Sequence, residues 1–453
     1  MNGVSGAVLR LLRERAGIGL RAVAHRSRGS VEISDSHLSR VERGHRPVTP
    51  AVVAAYERSL GMRITAQSVA EALADTGGAD RADRAQFHLT IASILLGAPA
   101  PAPAPGNHGD ELLRAAEEAL LPPGQVGEVD IAHVEQAAAM VRRLDLRFGG
   151  ILAGHLGRRL LRWALPLRTA SMTDPTRVRL HTGLGVLACW TAWACFDAHR
   201  HDTARHLWSL ALEAAVSADQ PDLRAHVLAD IAACHNHHGH PADALRLIRL
   251  ADGDERTHPA IRTILHGVRA HAYATLAEPD RCTGQIKLAE DHATAVDPDD
   301  VPAWLGGWQP AHPHAMTAHT TATLAMTTGD DTHHTHAADL LTNSIDQLAA
   351  THRTRALALT QTRLATLHQH HGDTDQADHR LQQARTHATD LRSARLNHHL
   401  TSFHTGTTPR LPGMRGHCPV SEIRQGTAVR IPRSPASLQW MVPASGHTEM
   451  RGC

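Results

Sequence analysis

The sequence predicts an all-α protein with more than one domain. Alanine and leucine are abundant and runs of β-branched residues are rare, a composition that favours helices over strands. Segment after segment places apolar residues three or four positions apart, the spacing of one buried helical face. At 453 residues the chain is too long for one domain, so two or three are expected. Because only 3% of the residues are aromatic, the cores must be built from aliphatic side chains.

Two short amphipathic segments come first. Residues 8–16 (VLRLLRERA) place apolar side chains at helical spacing, and Gly17 is expected to end this helix. Residues 20–27 (LRAVAHRS) repeat the pattern, with Leu20, Val23 and Ala24 on one face. Both segments are therefore predicted to be helices that pack through one side.

Residues 33–44 (ISDSHLSRVERG) predict a third helix with a buried back and a polar front. The hydroxyl of Ser34 can cap its first turn, and Gly44 stands where a helix usually stops. Leu38 and Val41 share one face, which is expected to pack inward. The outer face carries Asp35, Ser36, His37, Ser39 and Arg40. A short helix with polar side chains near its N-terminus is what a DNA major groove accepts.

A fourth and a fifth helix complete this N-terminal cluster. Thr49 and Pro50 are typical of the start of a helix, which is expected to run to residue 60 and to close at Gly61. A fifth helix is predicted over residues 66–74, ended by the sequence Thr-Gly-Gly at 76–78.

The order and the signals of the first four helices resemble the Xre-type family of helix-turn-helix regulators, whose fold is that of the phage lambda repressor. The resemblance covers roughly residues 9–62 and depends on the sequence LSRVERG followed by a capped fourth helix. It implies that the helix within residues 33–44 reads DNA.

The resemblance also implies a role for individual residues. Asp35, Ser36 and Arg40 fall at the family's base-reading positions. Phosphate contacts are implied for His37, Arg43 and Arg46, and a structural ion pair for Arg13 with Glu42. The complete set of implied DNA-binding residues is Ser34, Asp35, Ser36, His37, Ser39, Arg40, Arg43 and Arg46.

Two departures from the family pattern leave a second interpretation open. Leu20 stands where the family often has a glutamine that touches the DNA backbone, and residues 28–32 lengthen the turn between the second and third helices. The alternative is a protein-interaction adaptor with a vestigial helix-turn-helix. Charge favours DNA, since residues 1–62 hold ten arginines against five acidic residues, whereas the whole chain has a net charge of only +1.

An Ala/Pro-rich spacer at residues 98–106 (APAPAPAPG) predicts a domain boundary, because alternating prolines favour an extended conformation. Residues 84–98 superficially resemble a signal sequence, but they are internal and are expected to form a linker helix. The predicted divisions are a DNA-binding domain at 1–75, a linker at 76–109, a helical repeat domain at 110–404 and a disordered tail at 405–453.

The repeat domain is predicted from helices that alternate with similar turns. Long helical patterns cover residues 129–146, 149–165 and 175–196. Five turn sequences then follow at intervals of 38 to 52 residues: HRHDTA (199–204), GHPADA (239–244), AEPDRC (277–282), GDDTHH (329–334) and GDTDQA (372–377). The array resembles tetratricopeptide (TPR) repeats, whose usual period is about 34 residues. The prediction is a degenerate TPR-like α-solenoid; a non-repetitive helical bundle is the alternative.

The same region is also similar to actinobacterial regulators with this two-part layout, through residues 190–205 and 225–241. A TPR-like array offers a concave surface for a peptide or another protein. Trp190, Trp193, Trp304 and Trp308 could face such a ligand, although core packing is the simpler interpretation for Trp190 and Trp193.

The sequence carries no nucleophile elbow, P-loop or dinucleotide fingerprint, so neither an enzyme nor a cofactor is expected. Two histidine-rich groups fall at predicted turns, where solvated side chains are the simpler interpretation, and no metal site is expected: Cys234, His235, His237, His238 and His240; and His333, His334 and His336. The six cysteines are expected to be reduced, mostly core thiols.

These observations together predict a cytoplasmic, nucleoid-associated transcriptional regulator. The expected partner is double-stranded DNA, bound by a homodimer, because paired reading helices on a two-fold site are the common arrangement. The repeat domain is expected to dimerise or to sense a peptide, protein or small-molecule signal. No membrane association is expected, since no apolar run reaches the length of a transmembrane helix.

Overall fold

The computed structural model describes residues 4–27, 33–74, 80–98, 124–252, 254, 256–306, 308–309, 311–351 and 353–403. Within these ranges the chain forms nineteen α-helices and no β-strand, apart from one isolated bridge between Gln125 and Ser171. The predicted all-α class is therefore confirmed. None of the described helices combines the length and the apolar character needed to cross a membrane.

The first five helices match their predicted positions closely. They are α1 Gly6–Arg15, α2 Leu20–Ser27, α3 Asp35–Glu42, α4 Pro50–Leu60 and α5 Ala66–Leu73. The backbone N–H of His37 donates to the Ser34 hydroxyl at 3.2 Å, and Gly61 ends α4 in the left-handed conformation at φ 68°. Helix α1 begins two residues earlier than predicted, because Ser5 caps it. The Thr-Gly-Gly sequence at 76–78 lies outside the described residues, and α5 already ends at Leu73.

Helix α3 lies against α1 and α2, and α4 packs beside it on the same two helices. Leu38 and Val41 are fully buried in an apolar cluster shared with α1 and α4, as predicted. The approach of α1 to α3 is so close that a Cβ at Gly6 would overlap the carbonyl O of Val41. A residue larger than glycine at position 6 would therefore displace α3.

Helix α6, Arg81–Leu96, confirms the helix predicted in the linker. It packs on α5, and its Arg84 reaches forward in the chain to the buried Asp243, with 2.6 Å between Nη1 and Oδ2. The Ala/Pro-rich spacer and the predicted tail lie outside the described residues, apart from Ala98. By backbone contacts the described residues belong to one compact unit; the predicted domain limits themselves stay a prediction.

The remaining helices form a continuous series. They are α7 Glu128–Phe148, α8 Gly150–Ala164, α9 Asp174–Asp197, α10 His201–Ser217, α11 Pro221–His237, α12 Pro241–Ala251, α13 Pro259–Thr275, α14 Pro279–Thr294, α15 Ala311–Thr328, α16 Asp331–Ala349, α17 Thr354–His371, α18 Thr374–Ala388 and α19 Ala394–Ser402. Two 3₁₀ turns lie at Leu165–Thr169 and Ala303–Leu305.

Helices α7 to α18 form six consecutive hairpins in the described part of the chain, and the first helix of each hairpin packs on the first helix of the next. All five predicted turn sequences fall between the two helices of a hairpin. Each contains one residue with positive φ: His199 at 57°, Gly239 at 78°, Ala277 at 55°, Gly329 at 68° and Gly372 at 88°. The small residue that follows is buried at Ala204, Ala244, Cys282 and Ala377, which lets the second helix lie close to the first.

The row of hairpins curves back on itself, so that α17 packs against α7 and α19 packs against α9. A buried ionic network joins the two ends. Arg355 of α17 donates to both carboxylate oxygens of Asp145 on α7 at 2.5 Å, and its Nη1 lies 3.2 Å from Asp197 on α9. Arg395 of α19 lies 3.4 Å from Asp197 on the other side. Ion pairs as well as helix packing therefore join the two ends of the array.

Candidate nucleic-acid interface

The outer face of α3 presents the side chains predicted to meet DNA. Ser36 and Arg40 are exposed, and His37 and Ser39 are partly exposed. The Nε of Arg40 donates only weakly, at 3.4 Å, to the carbonyl O of Ser36 one turn back. No acidic side chain among the described residues pairs with Arg40, so its guanidinium is available to a ligand. Ser34 is exposed but is occupied as the helix cap, which leaves it a positioning role.

A buried ion pair holds the C-terminal end of α3. Arg13 of α1 donates through Nε and Nη2 to the two carboxylate oxygens of Glu42, at 2.6 and 2.7 Å. The Tyr56 hydroxyl of α4 donates to the same carboxylate at 2.6 Å. Burial, and then the Glu42 carboxylate, raise the pKa of Tyr56 well above its usual range. The predicted Arg13–Glu42 pair is confirmed, and Tyr56 is a third member that the sequence did not indicate.

Arg21, at the start of α2, is a candidate that sequence reasoning missed. Its side chain is 94% exposed, and its Nε lies 3.5 Å from Oδ2 of Asp35. Leu20, the departure from the family pattern, is partly buried and packs on the core. The basic side chain beside α3 therefore stands one residue later in the chain than the position at which the resembled Xre-type pattern often has a glutamine. The sequence signal that could have indicated this residue is a basic side chain directly after the apolar Leu20. Asp35 faces Arg21 rather than standing alone.

The three residues with predicted phosphate contacts, His37, Arg43 and Arg46, do not form one group, and His37 is partly exposed on α3 itself. Arg46 is exposed in the loop after α3. Arg43 and His45 instead line a cleft of about 250 Å³, whose other walls include Asp252 after α12 and His292 of α14. Asp252 is already held by Arg269 at 2.6 and 2.8 Å, so it does not neutralise Arg43. Arg40 and Arg46 lie outside the residues that form this cleft.

Contacts of α1 and α5 with the helical array hold the N-terminal helices in place. Both helices pack on α12. Arg249 of α12 lies 3.1 Å from Glu14 of α1, and Arg246 donates to the carbonyl O of Leu73 at 3.4 Å. The outer face of α3 takes no part in these contacts.

Two buried groups contain side chains of the kinds that ligate metals. The first is His88, His235 and Asp243, in which Arg84 and Arg246 already hold the carboxylate at 2.6 and 2.8 Å. A cation there would face two guanidinium charges, which disfavours it.

The second group is Cys189, His226 and Asp230. The Cys189 thiol donates to Asp230 at 3.0 Å, while both ring nitrogens of His226 lack a hydrogen-bond partner. Burial raises the pKa of Asp230, and His226 opposes that shift. The thiol and the carboxylate therefore satisfy each other, whereas His226 Nε2 lies 3.7 Å from Asp230, beyond hydrogen-bond distance.

The structure corrects in part the expectation that the histidine-rich group at 234–240 is solvated: His237 is exposed and His238 and His240 are partly exposed, but the other two members are not. Cys234 and His235 are buried, because α6 covers this end of α11 and brings His88 Nε2 to 3.4 Å from His235 Nε2. The four cysteines in the described region, at 189, 195, 234 and 282, are unpaired and buried, as predicted. Burial raises the pKa of the Cys195 thiol to about 11.

The four tryptophans singled out in the sequence, Trp190, Trp193, Trp304 and Trp308, are all partly buried and pack against the main core. Trp193 packs edge-on against Phe196 and Trp208 in the core. Trp190 and Trp304 flank His226, with ring centroids 5.7 and 5.4 Å from it. The guanidinium of Arg142 lies 5.0 Å from the Trp190 ring, at the edge of the closed array.

Comparison of the chain with protein-family models, with curated proteins and with solved structures gives no match. The function must therefore be argued from the geometry alone.

Proposed function

We propose that this chain is a sequence-specific DNA-binding transcriptional regulator of the Xre helix-turn-helix type. The observation that carries the proposal is the geometry of α3: a capped helix whose back is buried at Leu38 and Val41 and whose front leaves Ser36 and Arg40 exposed. A helix anchored in this way can enter a major groove without losing its packing.

Charge at both ends of α3 supports DNA as the ligand. Arg21 stands beside the N-terminus of the helix and Arg46 follows its C-terminal end, both exposed. Phosphates flanking a groove would meet these two arginines, while Arg40 could make a bidentate contact with a guanine edge. The helix N-terminus adds its own partial positive charge.

We further propose that the closed helical array is a TPR-like domain that joins two chains into a dimer. Exposed apolar side chains support this role. Five of the eight large exposed apolar residues in the described region lie on α7, α8 and α9, namely Val129, Met140, Ile151, Leu152 and Val178. Leu152→Glu is expected to shift the species seen by analytical ultracentrifugation from dimer to monomer, whereas Leu288→Glu on α14 should leave it unchanged.

Fluorescence anisotropy with a labelled duplex pool tests DNA binding by the full-length chain. Binding is expected to weaken as salt rises, with a smaller slope for Arg46→Gln because one phosphate contact is lost. On a selected site, Arg40→Gln is expected to lose about 1–3 kcal/mol of discrimination between bases.

Lys287→Gln, at an exposed position on α14, is the matched control and should bind like the wild type. Absence of salt-dependent binding would refute the proposal. The adaptor alternative would then stand, in which the exposed face of α3 contacts protein.

A further inference from the structure

A pocket of about 490 Å³ lies where the helical array closes. The last turns of α7 form one wall, and the segments that precede α15 and α17 form the other. Four arginines line it in the described region: Arg142, Arg143, Arg147 and Arg353. Most of the remaining wall is apolar and includes Leu144 and Phe148. An apolar pocket with several converging charges is the usual form of a small-molecule site.

No acidic residue is found in the described lining of this pocket to balance the arginines. Asp145 stands on the same turns of α7, but both of its carboxylate oxygens are held by Arg355. Asp197, the next acid in that network, is shared by Arg355 and Arg395. These two acids are thus committed to two other arginines. Asp145 offsets only part of the charge on Arg142, and no acidic side chain in the described region forms an ion pair with any of the four pocket arginines.

Arg142 lies in an unfavourable environment when the pocket is empty. Its Nε is buried without a hydrogen-bond partner, and its Nη1 reaches only the carbonyl O of Gly306, at 3.4 Å. Burial and the neighbouring Arg353 lower the pKa of Arg142 to about 10. Like charges crowded into a partly buried pocket oppose one another unless an anion is present. The charges in the pocket are therefore arranged more favourably for a bound anion than for the empty protein.

We propose that this pocket binds a small organic anion with a phosphate or carboxylate head and an apolar body. Planar guanidinium groups recognise both kinds of head through paired hydrogen bonds. Leu144 and Phe148 would cover the body of the ligand. The proposal does not depend on the DNA-binding function, because none of these residues belongs to α1–α5.

Isothermal titration calorimetry on the full-length chain tests the proposal with a matched series of probes. Octyl phosphate and octanoate share an apolar tail and differ in the head, octanol has the tail without charge, and inorganic phosphate has the charge without a tail. Octyl phosphate or octanoate is expected to bind at least about tenfold more tightly than octanol and than inorganic phosphate. Whichever of the two binds more tightly identifies the head group.

Two variants test whether the anion binds in this pocket. Arg142→Gln and Arg353→Gln are each expected to weaken the preferred anion by about tenfold or more, since each removes a charge-assisted hydrogen bond. Arg159→Gln removes the same charge from an exposed position elsewhere and should have no effect. Equal binding of octanol and the anions, or equal loss in all three variants, would overturn the proposal.

Thermal unfolding separates a ligand site from a structural role. If the arginines repel one another in the empty pocket, Arg142→Gln and Arg353→Gln should keep or raise the Tm, and octyl phosphate or octanoate should raise the Tm of the wild type only. A lower Tm in both variants, with no ligand-induced rise in the wild type, would show that these arginines stabilise the fold instead and would overturn the proposal.

Discussion

Glu42→Ala should unfold helices α1, α3 and α4 while leaving the helical array intact. The Glu42 side chain is only 4% exposed and accepts three hydrogen bonds, two from Arg13 and one from Tyr56. Removing the carboxylate leaves the Tyr56 phenol without a partner at the junction of α1, α3 and α4. It leaves the Arg13 guanidinium with only the carbonyl O of Ile18 at 3.0 Å and Glu14 at 3.7 Å. Truncating one member of a buried ion pair costs about 3–5 kcal/mol, and the 12% exposure of Arg13 favours the lower figure.

Hydrogen exchange measured by mass spectrometry reports the effect helix by helix. A loss of about 3 kcal/mol speeds exchange through local opening by about 10²-fold in α1, α3 and α4. Helices α17 to α19 should exchange as in the wild type. Glu71→Ala is the control, because Glu71 is exposed on α5 and pairs only with Gln67, so its loss should stay within about 0.5 kcal/mol.

A less than tenfold change in α3, or a change that spreads equally to α17–α19, would refute this reasoning. The first result would mean that the pair is not buried as described. The second would mean that helices α1–α5 and the helical array unfold as one unit. Replacing both partners, as in Arg13→Met with Glu42→Leu, should recover most of the loss, because an apolar pair leaves no charge unpaired.

Three other outcomes follow from close packing and buried charge. Gly6→Ala should expose α3 to exchange and abolish DNA binding, because the added Cβ would overlap the Val41 carbonyl; an unchanged affinity would contradict the packing. Arg355→Met should lower the free energy of unfolding in urea by about 3–5 kcal/mol, since Asp145 loses its partner, and an equal loss in Arg159→Met would argue against it. Burial lowers the pKa of His88 to about 3, against about 6.5 unfolded, so the unfolded chain binds a proton that the folded chain does not. The stabilising contribution of neutral His88 is therefore fully present above about pH 6.5, and below that pH it falls by about 1.4 kcal/mol per pH unit. The free energy of unfolding of His88→Gln should depend less steeply on pH than that of the wild type. An identical pH dependence in the two proteins would count against the assignment.

Local structure could be predicted from the sequence because its causes are local. Ser34 caps α3, Gly61 ends α4, and the five turns of the array fall where glycine or a small residue marks them. Capping and left-handed turn residues act within four or five positions, so one sequence suffices to find them. The buried back of α3 likewise follows from the spacing of Leu38 and Val41.

The contacts that decide the tertiary structure join residues far apart in the chain. Arg84 pairs with Asp243 across 159 positions and Arg355 with Asp145 across 210, distances over which helical periodicity carries no information. The burial of His235 depends on α6 and could not be read from the turn that follows it. The closure of the array, and with it the arginine pocket, could not be predicted from the sequence for the same reason.

Selection of bound duplexes from a random DNA pool by the full-length chain tests the proposed DNA-reading function most directly, with Arg40→Ala selected in parallel. The account predicts a palindromic consensus for the wild type, with two half-sites that reflect a dimer, and loss of preference at one position of each half-site in the variant. No enrichment at low salt, or the same consensus from both proteins, would contradict the claim that α3 reads DNA through Arg40.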